Sequence, residues 1–242
     1  RHKLLDHLLA RFAEDFTDYI LVNYQLTGDT EEPQRLHDKA DFLQAYPTVS
    51  RDRFRATDYT QYPHISGPSP TFPAQPARHI SGFQQRLERL LGIDGNPDSE
   101  ENDERFYLIE HILLRPRVAS ILDIDQPQSM LLPNTAWGGT YETERPAAVD
   151  PYSFWISVLF PSTPRRYINP SFRQLIERTV RIEAPAHVAV KIGWFNPFDM
   201  ARLKAAYNDW AQQLSIHTDK GRSCSLTESS KNLIDVLRSL RS

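Results

Sequence analysis

Cysteine is nearly absent from this chain, since Cys224 is the single one among 242 residues. A single cysteine excludes an intrachain disulfide framework and fits a reducing site of folding. Long apolar runs are absent as well: no stretch approaches the roughly 20 residues that span a bilayer, and no signal-peptide pattern is present. The sequence therefore predicts no direct insertion into a membrane.

Basic residues are not in excess, because 28 lysines and arginines face 31 aspartates and glutamates, for a net charge of −3. Nucleic-acid binders obtain much of their affinity by neutralising phosphates, so this balance argues against a dedicated nucleic-acid function. Lysine is scarce, at 6 residues, which leaves 22 arginines. Arginine suits bidentate and stacked contacts at protein interfaces, although a lineage preference for arginine explains the bias equally well.

The composition is otherwise that of an ordinary globular protein, with 40% hydrophobic and 24% charged residues. Its length allows one sizeable core or two small ones. The chain starts at Arg1, without methionine and inside a helical pattern. We therefore expect it to be a fragment of a longer polypeptide.

The first 50 residues predict a helical hairpin. From Lys3 to Gln25 the apolar residues recur at i, i+3, i+4 and i+7, and Gly28 closes this helix. A second helix is predicted from Pro33 to Tyr46, where Pro47 should stop it. Each helix has one apolar stripe, so the pair needs the later sheet or a neighbouring chain to cover it.

Residues 51–92 predict a strand, a proline-rich arm and a helix. The strand is expected at 52–58. Five prolines between residues 60 and 78 forbid a helix there and favour an extended interaction arm or a stiff surface loop. Ser81 and Gln84 have the spacing of a capping box for a helix at 81–91, and Gly92 suits its C-terminal end.

The centre of the chain predicts three further strands and a crossover helix. A near-continuous apolar run at 106–115 predicts a buried strand, and the irregular segment 118–149 predicts a second long arm. Strands are expected at 153–160 and 187–195, with a helix at 170–183 between them. That helix is well delimited, with Asn169 as N-cap, Pro170 in the first turn and Pro185 after its end.

In chain order these elements read β-α-β-β-α-β, which is typical of the split βαβ or ferredoxin-like fold. We predict an α+β protein with a ferredoxin-like split βαβ sheet core, an N-terminal helical hairpin and C-terminal helices. The predicted domains are the hairpin at 1–50, the ferredoxin-like domain at 51–217 with its arms at 60–78 and 118–149, and a linker with the last helix at 218–242.

Two helices are predicted beyond the last strand. The first carries apolar residues between Met200 and Leu214 on one face, and a polar linker from Ser215 to Cys224 follows it. Ser225 and Glu228 have capping-box spacing for the second helix. Because this helix follows a linker at the chain end, we expect it to dock on something other than the sheet.

No motif predicts a catalytic, cofactor-binding or metal site, and we therefore assign none. His2 and His7 are five residues apart, off the i, i+4 spacing that lets two helical ligands share a metal. Asp123 and Asp125 resemble a fragment of a calcium loop, but the downstream glycine and glutamate are missing. The pair Gly138–Gly139 lacks the spacing of a phosphate loop, and no serine stands in a G-x-S-x-G motif.

Several polar features admit a structural interpretation as well as a functional one. Glu110 and His111 are adjacent in a predicted strand, so their side chains should point to opposite faces rather than form an acid–base pair. Cys224 has no basic neighbour in sequence, and the last strand lacks the aromatic pattern of an RNA-recognition motif. A basic region is either a solvated helix face or a rim that pairs with acidic neighbours; it comprises Arg165, Arg166, Arg173, Arg178 and Arg181.

Four blocks of the sequence carry a resemblance to a known family. They are FYLIEHILLRP at Phe106–Pro116, DPYSFWISVLFP at Asp150–Pro161, the stretch Asn169–Phe195 and the helix Met200–Trp210. With these blocks the chain resembles the C-terminal part of baseplate wedge, or J-like, proteins of phage-tail-like extracellular contractile injection systems. The resemblance covers roughly Leu4 to Leu214, and the last helix, Leu226 to Ser242, has no place in the family pattern.

In that family this region is structural, as part of a wedge that joins into a ring around the central hub or spike and connects to the sheath. The resemblance implies a baseplate component that is not an enzyme, with no catalytic residues and no cofactors. Its implied partners are other wedge subunits, hub or spike proteins and sheath proteins, without nucleic acid. It also implies assembly in the bacterial cytoplasm, incorporation into an injection particle and a missing N-terminal portion.

Two other functions stay open on the sequence alone. One is an enzyme with a site between the sheet and an arm, using His111, Glu110 or Asp125. The other is a small regulatory ligand-binding module, since ferredoxin-like domains often bind metabolites or pair through their sheets.

Overall fold

A computed structural model describes residues 2–12, 14, 32–59, 80–93, 103–115, 152–217 and 224–239. These residues form a mixed α+β structure with seven α-helices, one 3-10 helix and a three-stranded sheet. They fall into two compact units. The helical unit lies within residues 1–57, 74–105 and 163–184, and the sheet unit lies within 58–73, 106–162 and 185–242.

The described residues of the helical unit form five helices: α1 (His2–Arg11), α2 (Glu32–Arg51), α3 (Gly82–Leu91), α4 (Arg165–Ile168) and α5 (Pro170–Glu183). Helix α1 packs on α2, α2 on α3, and α3 on α5, which also contacts α4. Apolar side chains from each of the four longer helices are buried, among them Leu9, Phe42, Val49, Leu87, Leu91, Phe172, Ile176 and Val180. The unit is therefore held by the apolar stripes of amphipathic helices.

The predicted ends of α3 and α5 are confirmed. The Gln84 N–H donates to Ser81 Oγ at 3.1 Å, and Gly92 ends α3 in the left-handed conformation with φ of 57°. Asn169 Oδ1 accepts hydrogen bonds from two N–H groups in the first turn of α5, and Pro170 occupies the first position, where no N–H is needed. Helix α5 ends at Glu183, two residues before Pro185.

The sheet unit contains β1 (Tyr107–Glu110), a 3-10 helix (His111–Leu114), β2 (Trp155–Pro161), β3 (Ala189–Phe195), α6 (Pro197–His217) and α7 (Cys224–Ser239). The strand order is β1-β2-β3, with β1 antiparallel and β3 parallel to β2. In this register Ser157 of β2 lies opposite Ile109 on one side and Lys191 on the other.

Helices α6 and α7 pack together, and α7 also contacts the 3-10 helix. One continuous core joins them to the sheet, with Trp210 of α6 at its centre in contact with Tyr59 and Tyr207. Its buried members come from the sheet and from both helices, and include Ile109, Leu159, Phe195, Leu203, Leu214, Leu226, Leu233 and Leu237. The main contacts of the last helix are thus with α6 and the 3-10 helix and not with the strands, in agreement with the expectation that it docks on something other than the sheet.

The predicted strand at 52–58 does not form. Asp52 to Phe54 make a turn directly after α2, closed by the Arg55 N–H, which donates to the Asp52 carbonyl at 2.9 Å. The Arg55 carbonyl then accepts from the Gly82 N–H at 2.8 Å. The alternation of arginine with other residues at 51–55 is typical of a strand. The backbone groups of this segment, however, form hydrogen bonds within a turn and with the first residue of α3.

The ferredoxin-like order is not confirmed for the part of the chain that the structure describes. A split βαβ places another strand between its two parallel strands, whereas β2 and β3 are direct neighbours along seven residue pairs. The compact units also divide the chain differently from the predicted domains. Helices α4 and α5, expected in a 51–217 domain, belong to the same unit as α1 and α2.

Other predicted boundaries shift for local reasons. Helix α1 ends at Arg11, and the remainder of the predicted Lys3–Gln25 helix, with Gly28, lies almost wholly outside the described residues. Helix α2 continues one turn past Pro47 to Arg51. Proline removes one helical hydrogen bond, but the added turn buries Val49, which favours the longer helix.

Strand β1 is shorter than the predicted 106–115 strand, because the backbone changes to a 3-10 helix at His111. Helix α7 begins at Cys224, so Ser225 lies inside the helix and is not its N-cap. Helix α6 extends to His217, into the predicted linker. Both predicted arms, 60–78 and 118–149, lie outside the described residues.

Candidate functional site

The sheet unit brings together a histidine and a serine that are 46 residues apart in sequence. His111 Nε2 lies 2.7 Å from Ser157 Oγ, within hydrogen-bonding distance. The strand register explains the contact: Ile109 lies opposite Ser157, and the 3-10 turn that follows β1 directs His111 back to the same serine. A serine hydroxyl beside an imidazole is the arrangement of a nucleophile and its general base.

Burial argues against such a catalytic role. His111 and Ser157 are each 1% exposed. A nucleophile must meet a substrate carbonyl or phosphoryl group, and neither side chain reaches the surface in this conformation. The hydrogen bond instead satisfies two buried polar groups and ties the 3-10 helix to β2. Glu110 ends β1 one residue earlier and is only partly buried.

Lys191 is a further buried polar residue, on strand β3. It lies opposite Ser157 in the β2–β3 register, and its side chain is buried. Lys191 Nζ lies 4.6 Å from the centre of the Trp155 ring, which provides a cation–π contact for the ammonium group. The sequence analysis singled out neither Ser157 nor Lys191; each is a polar residue in an otherwise apolar strand, and that is the one signal that could have indicated them.

A buried ionic cluster organises the helical unit. Arg86 Nε donates to Glu183 Oε2 at 2.6 Å, and Arg86 Nη2 donates to both carboxylate oxygens of Glu14 at 2.8 Å. Arg53 Nη2 donates to the same Glu183 oxygen at 2.9 Å. Burial lowers the pKa of Arg86, but its hydrogen bonds with Glu183 and Glu14 outweigh burial and the pKa is raised. The guanidinium therefore stays charged, with two carboxylates as partners.

The basic region at 165–181 is divided between internal and surface roles. Arg166 binds Glu104, donates to the Gly92 carbonyl at 2.9 Å and stacks on Phe172, with 4.8 Å to the ring centre. Arg173 donates to the Tyr167 carbonyl. The other three arginines are exposed: Arg165, Arg178 and Arg181. Arg181 forms an ion pair with Glu177, with 3.3 Å between its Nη1 and Glu177 Oε2.

The described residues contain no group of three potential metal ligands. His7 is exposed on α1. Asp123, Asp125 and the pair Gly138–Gly139 lie outside the described residues. Among the helices that the structure describes, none is both long and apolar enough to cross a bilayer.

Glu88 of α3 is an ionisable group with a strongly perturbed pKa. Burial raises the pKa of Glu88 to about 7, against the hydrogen bond that Gln84 donates at 3.0 Å and the charge of Arg89, which both lower it. Because the folded-state pKa exceeds the unfolded value, ionisation of this carboxyl opposes folding. The stability of the native state should fall as the pH rises through the window between the two pKa values and then level off.

Replacing Glu88 with glutamine should remove this pH dependence while keeping a side chain that can bond to Gln84. We expect Glu88→Gln to raise the free energy of unfolding by about 3 kcal/mol at about pH 8 and to change it little at about pH 4. Urea unfolding of both proteins across this range measures the difference. Glu177→Gln, at an exposed ion pair, is the control and should show no such trend. A Glu88→Gln gain that is equal at every pH would contradict the prediction.

Large apolar side chains are exposed on both units. Among the residues that the structure describes, three phenylalanines are more than half exposed: Phe54 after α2, Phe154 before β2 and Phe198 in the first turn of α6. Phe154 has φ of 60°, a left-handed conformation that is rare for a bulky residue. Its ring is nearly perpendicular to the His187 ring, with 5.8 Å between the two ring centres. Sequence analysis missed these residues, because an apolar residue beside a helix or strand is normally counted with the core.

No family model matches this chain, and no curated protein matches it.

Proposed function

We propose that this chain is a structural subunit of a protein assembly rather than an enzyme. The observation that carries the proposal is the exposure of large apolar side chains on both compact units. The polar groups that could suggest chemistry are committed to internal contacts: His111 to Ser157, and Arg86 to Glu14 and Glu183. Contiguous patches of exposed apolar side chains are typical of surfaces that other subunits cover.

The resemblance to baseplate wedge proteins makes the proposal specific. The chain is a baseplate component of a contractile, phage-tail-like injection particle, joining wedge subunits into a ring around the hub and linking them to the sheath. The two compact units act as rigid spacers, and the segments 60–78 and 118–149 act as arms that contact neighbours. Segments that wrap around a neighbouring subunit bury much area per residue, which suits a large ring. The proposal does not require the ferredoxin-like order.

Electron microscopy tests the assembly directly. The native host would express the parent protein with an affinity tag, and the purified material would be imaged with gold-labelled antibody against the tag. We expect sheathed, tube-bearing particles with the label at one end. Discrete small oligomers without particles would contradict the proposal and would favour the ligand-binding alternative.

Deletion of the two arms tests their role. Replacing 60–78 and 118–149 with short flexible linkers should abolish ring formation while the remaining chain keeps its cooperative thermal transition. Circular dichroism checks folding, and microscopy checks rings. Intact rings from a chain that lacks both arms would show that the arms do not join the subunits.

A further inference from the structure

Two exposed aromatic rings lie where the two parallel strands of the sheet unit begin. Phe154 directly precedes β2 and is 66% exposed, and His187, two residues before β3, is exposed as well. The two rings are inclined at 85°, with 5.8 Å between their centres. The Phe154 carbonyl accepts a hydrogen bond from the Ala189 N–H at 2.7 Å, which joins the two strand starts. Phe154 and His187 therefore form a solvent-facing aromatic corner.

The backbone of Phe154 holds its ring in this exposed position at a conformational cost. A φ of 60° is left-handed, which is unfavourable for a residue with a Cβ atom. Burial of the ring does not offset that cost, because most of the ring is in contact with solvent. Strained residues of this kind cluster at sites of recognition. The corner is therefore a candidate binding surface.

The sequence contains a segment that suits an aromatic corner. Pro70, Pro73 and Pro76 are spaced by three residues, which is the period of the polyproline II helix. In that conformation the three prolines share one edge. Residues 60–77 contain no aspartate, glutamate, lysine or arginine, so docking of this segment removes no charged side chain from water. Grooves lined by aromatic residues are the usual binding sites of such P-x-x-P segments.

The segment that contains these prolines is longer than a connection between its two ends requires. Before it, Tyr59 is buried against Trp210, with 5.3 Å between the ring centres; after it, the Ile80 carbonyl accepts from Arg55 Nη2 at 3.0 Å. Arg55 is four residues before Tyr59, so about 14 Å of extended chain and one side chain join the two ends. The roughly 20 residues between Tyr59 and Ile80 extend about 60 Å as polyproline II. That length is enough to reach a neighbouring molecule and return.

We propose that the proline segment 70–76 of one copy of this chain docks on the aromatic corner of a second copy. The inference deepens the proposed structural function and rests on it, because it names both sides of one contact between copies. The contact is heterologous, since the segment and the corner are different parts of the chain. Each copy gives its segment to one neighbour and receives a segment from another, and such contacts generate rings when the rotation closes.

Two variants remove the two sides of the contact separately. Phe154→Gly removes the ring, and it leaves the fold intact because glycine adopts a φ of 60° without strain. Pro70→Ala/Pro73→Ala/Pro76→Ala removes the prolines of the segment. In sedimentation velocity of the purified whole chain, we expect wild-type self-association that increases with protein concentration. Added sodium chloride should change it little, because the segment is uncharged. Each variant alone should weaken association by about tenfold or more.

A mixture of the two variants tests whether the segment docks on another copy. Phe154→Gly protein keeps the proline segment, and the triple alanine variant keeps the aromatic corner. The mixture should therefore form dimers of one variant with the other, at concentrations where each variant alone is monomeric. Docking of the segment within its own chain predicts no such dimers. A mixture that stays monomeric would overturn the inference, and so would a wild type that stays monomeric at every concentration.

Phe198→Ser and Pro63→Ala are the matched controls. Phe198 is 72% exposed in the same unit but lies in α6, and Pro63 is outside the set of prolines spaced by three. Both variants should associate like the wild type, and thermal melting checks that every variant is folded. If Phe198→Ser loses association as strongly as Phe154→Gly, the aromatic corner is not the docking site.

The same variants separate this inference from the proposed function. If labelled injection particles form normally from Phe154→Gly protein, the docking contact is wrong and the baseplate function stands. If the mixed variants form dimers but no particles exist in the host, the contact stands and the baseplate function is wrong.

Discussion

Replacing Arg86 with alanine is expected to destabilise the helical unit by about 3–5 kcal/mol. The substitution removes the guanidinium partner of Glu14 and leaves Glu183 paired with Arg53, although both carboxylates are largely buried. An uncompensated buried charge costs more than the loss of a surface ion pair, because water cannot solvate it. Urea unfolding followed by circular dichroism measures the loss.

Two comparisons show whether the buried charge is the cause. Arg181→Ala removes an exposed ion pair with Glu177 and should cost less than about 0.5 kcal/mol. The triple variant Arg86→Met/Glu14→Gln/Glu183→Gln removes the charges together and should recover part of the stability that Arg86→Ala loses. Equal losses for Arg86→Ala and Arg181→Ala would show that the cluster contributes no more than a surface pair.

Replacing Gly82 with alanine should destabilise the helical unit by about 3 kcal/mol or more. A Cβ atom at this position would lie 1.5 Å from the Asp52 carbonyl oxygen and 2.5 Å from its carbon, so the turn after α2 and the start of α3 must move apart. The obstacle is backbone, which cannot rotate away as a flexible side chain can. The movement would also strain the hydrogen bond from the Gly82 N–H to the Arg55 carbonyl.

Gly92→Ala, at the residue that follows the last turn of α3, provides the matched glycine control. Gly92 has φ of 57°, so alanine there has a conformational cost of about 1 kcal/mol. We expect Gly82→Ala to lower the midpoint of thermal unfolding well below that of Gly92→Ala. A smaller loss for Gly82→Ala than for Gly92→Ala would mean that the two segments separate easily.

Local sequence signals predicted the elements whose ends depend on their own residues. Ser81 and Gln84 begin α3, and Asn169 with Pro170 begins α5, because a cap needs partners only three residues away. The same reasoning was wrong at Pro47 and at Ser225. In α2 the burial of Val49 favours an extra turn, and α7 begins before the serine that was expected to cap it.

Segments whose partners are distant were predicted poorly. The residues at 52–58 were expected to form a strand, but their contacts are with Gly82 and Glu183, far along the chain. A sequence pattern of period two cannot distinguish a strand from a turn whose side chains reach such partners. The contact between His111 and Ser157 was missed for the same reason, because these residues meet only through the register of β1 and β2.

The sequence by itself determined the α+β class, the positions of β2, β3 and the longer helices, and the absence of any recognisable catalytic motif. These depend on apolar periodicity and on caps, which act over a few residues. Only the tertiary structure decided that β2 and β3 are direct neighbours, that Arg86 joins Glu14 to Glu183, and that Phe54 and Ile182 are exposed. The physical reason is that strand pairing, buried ion pairs and exposure depend on which distant segments meet in space.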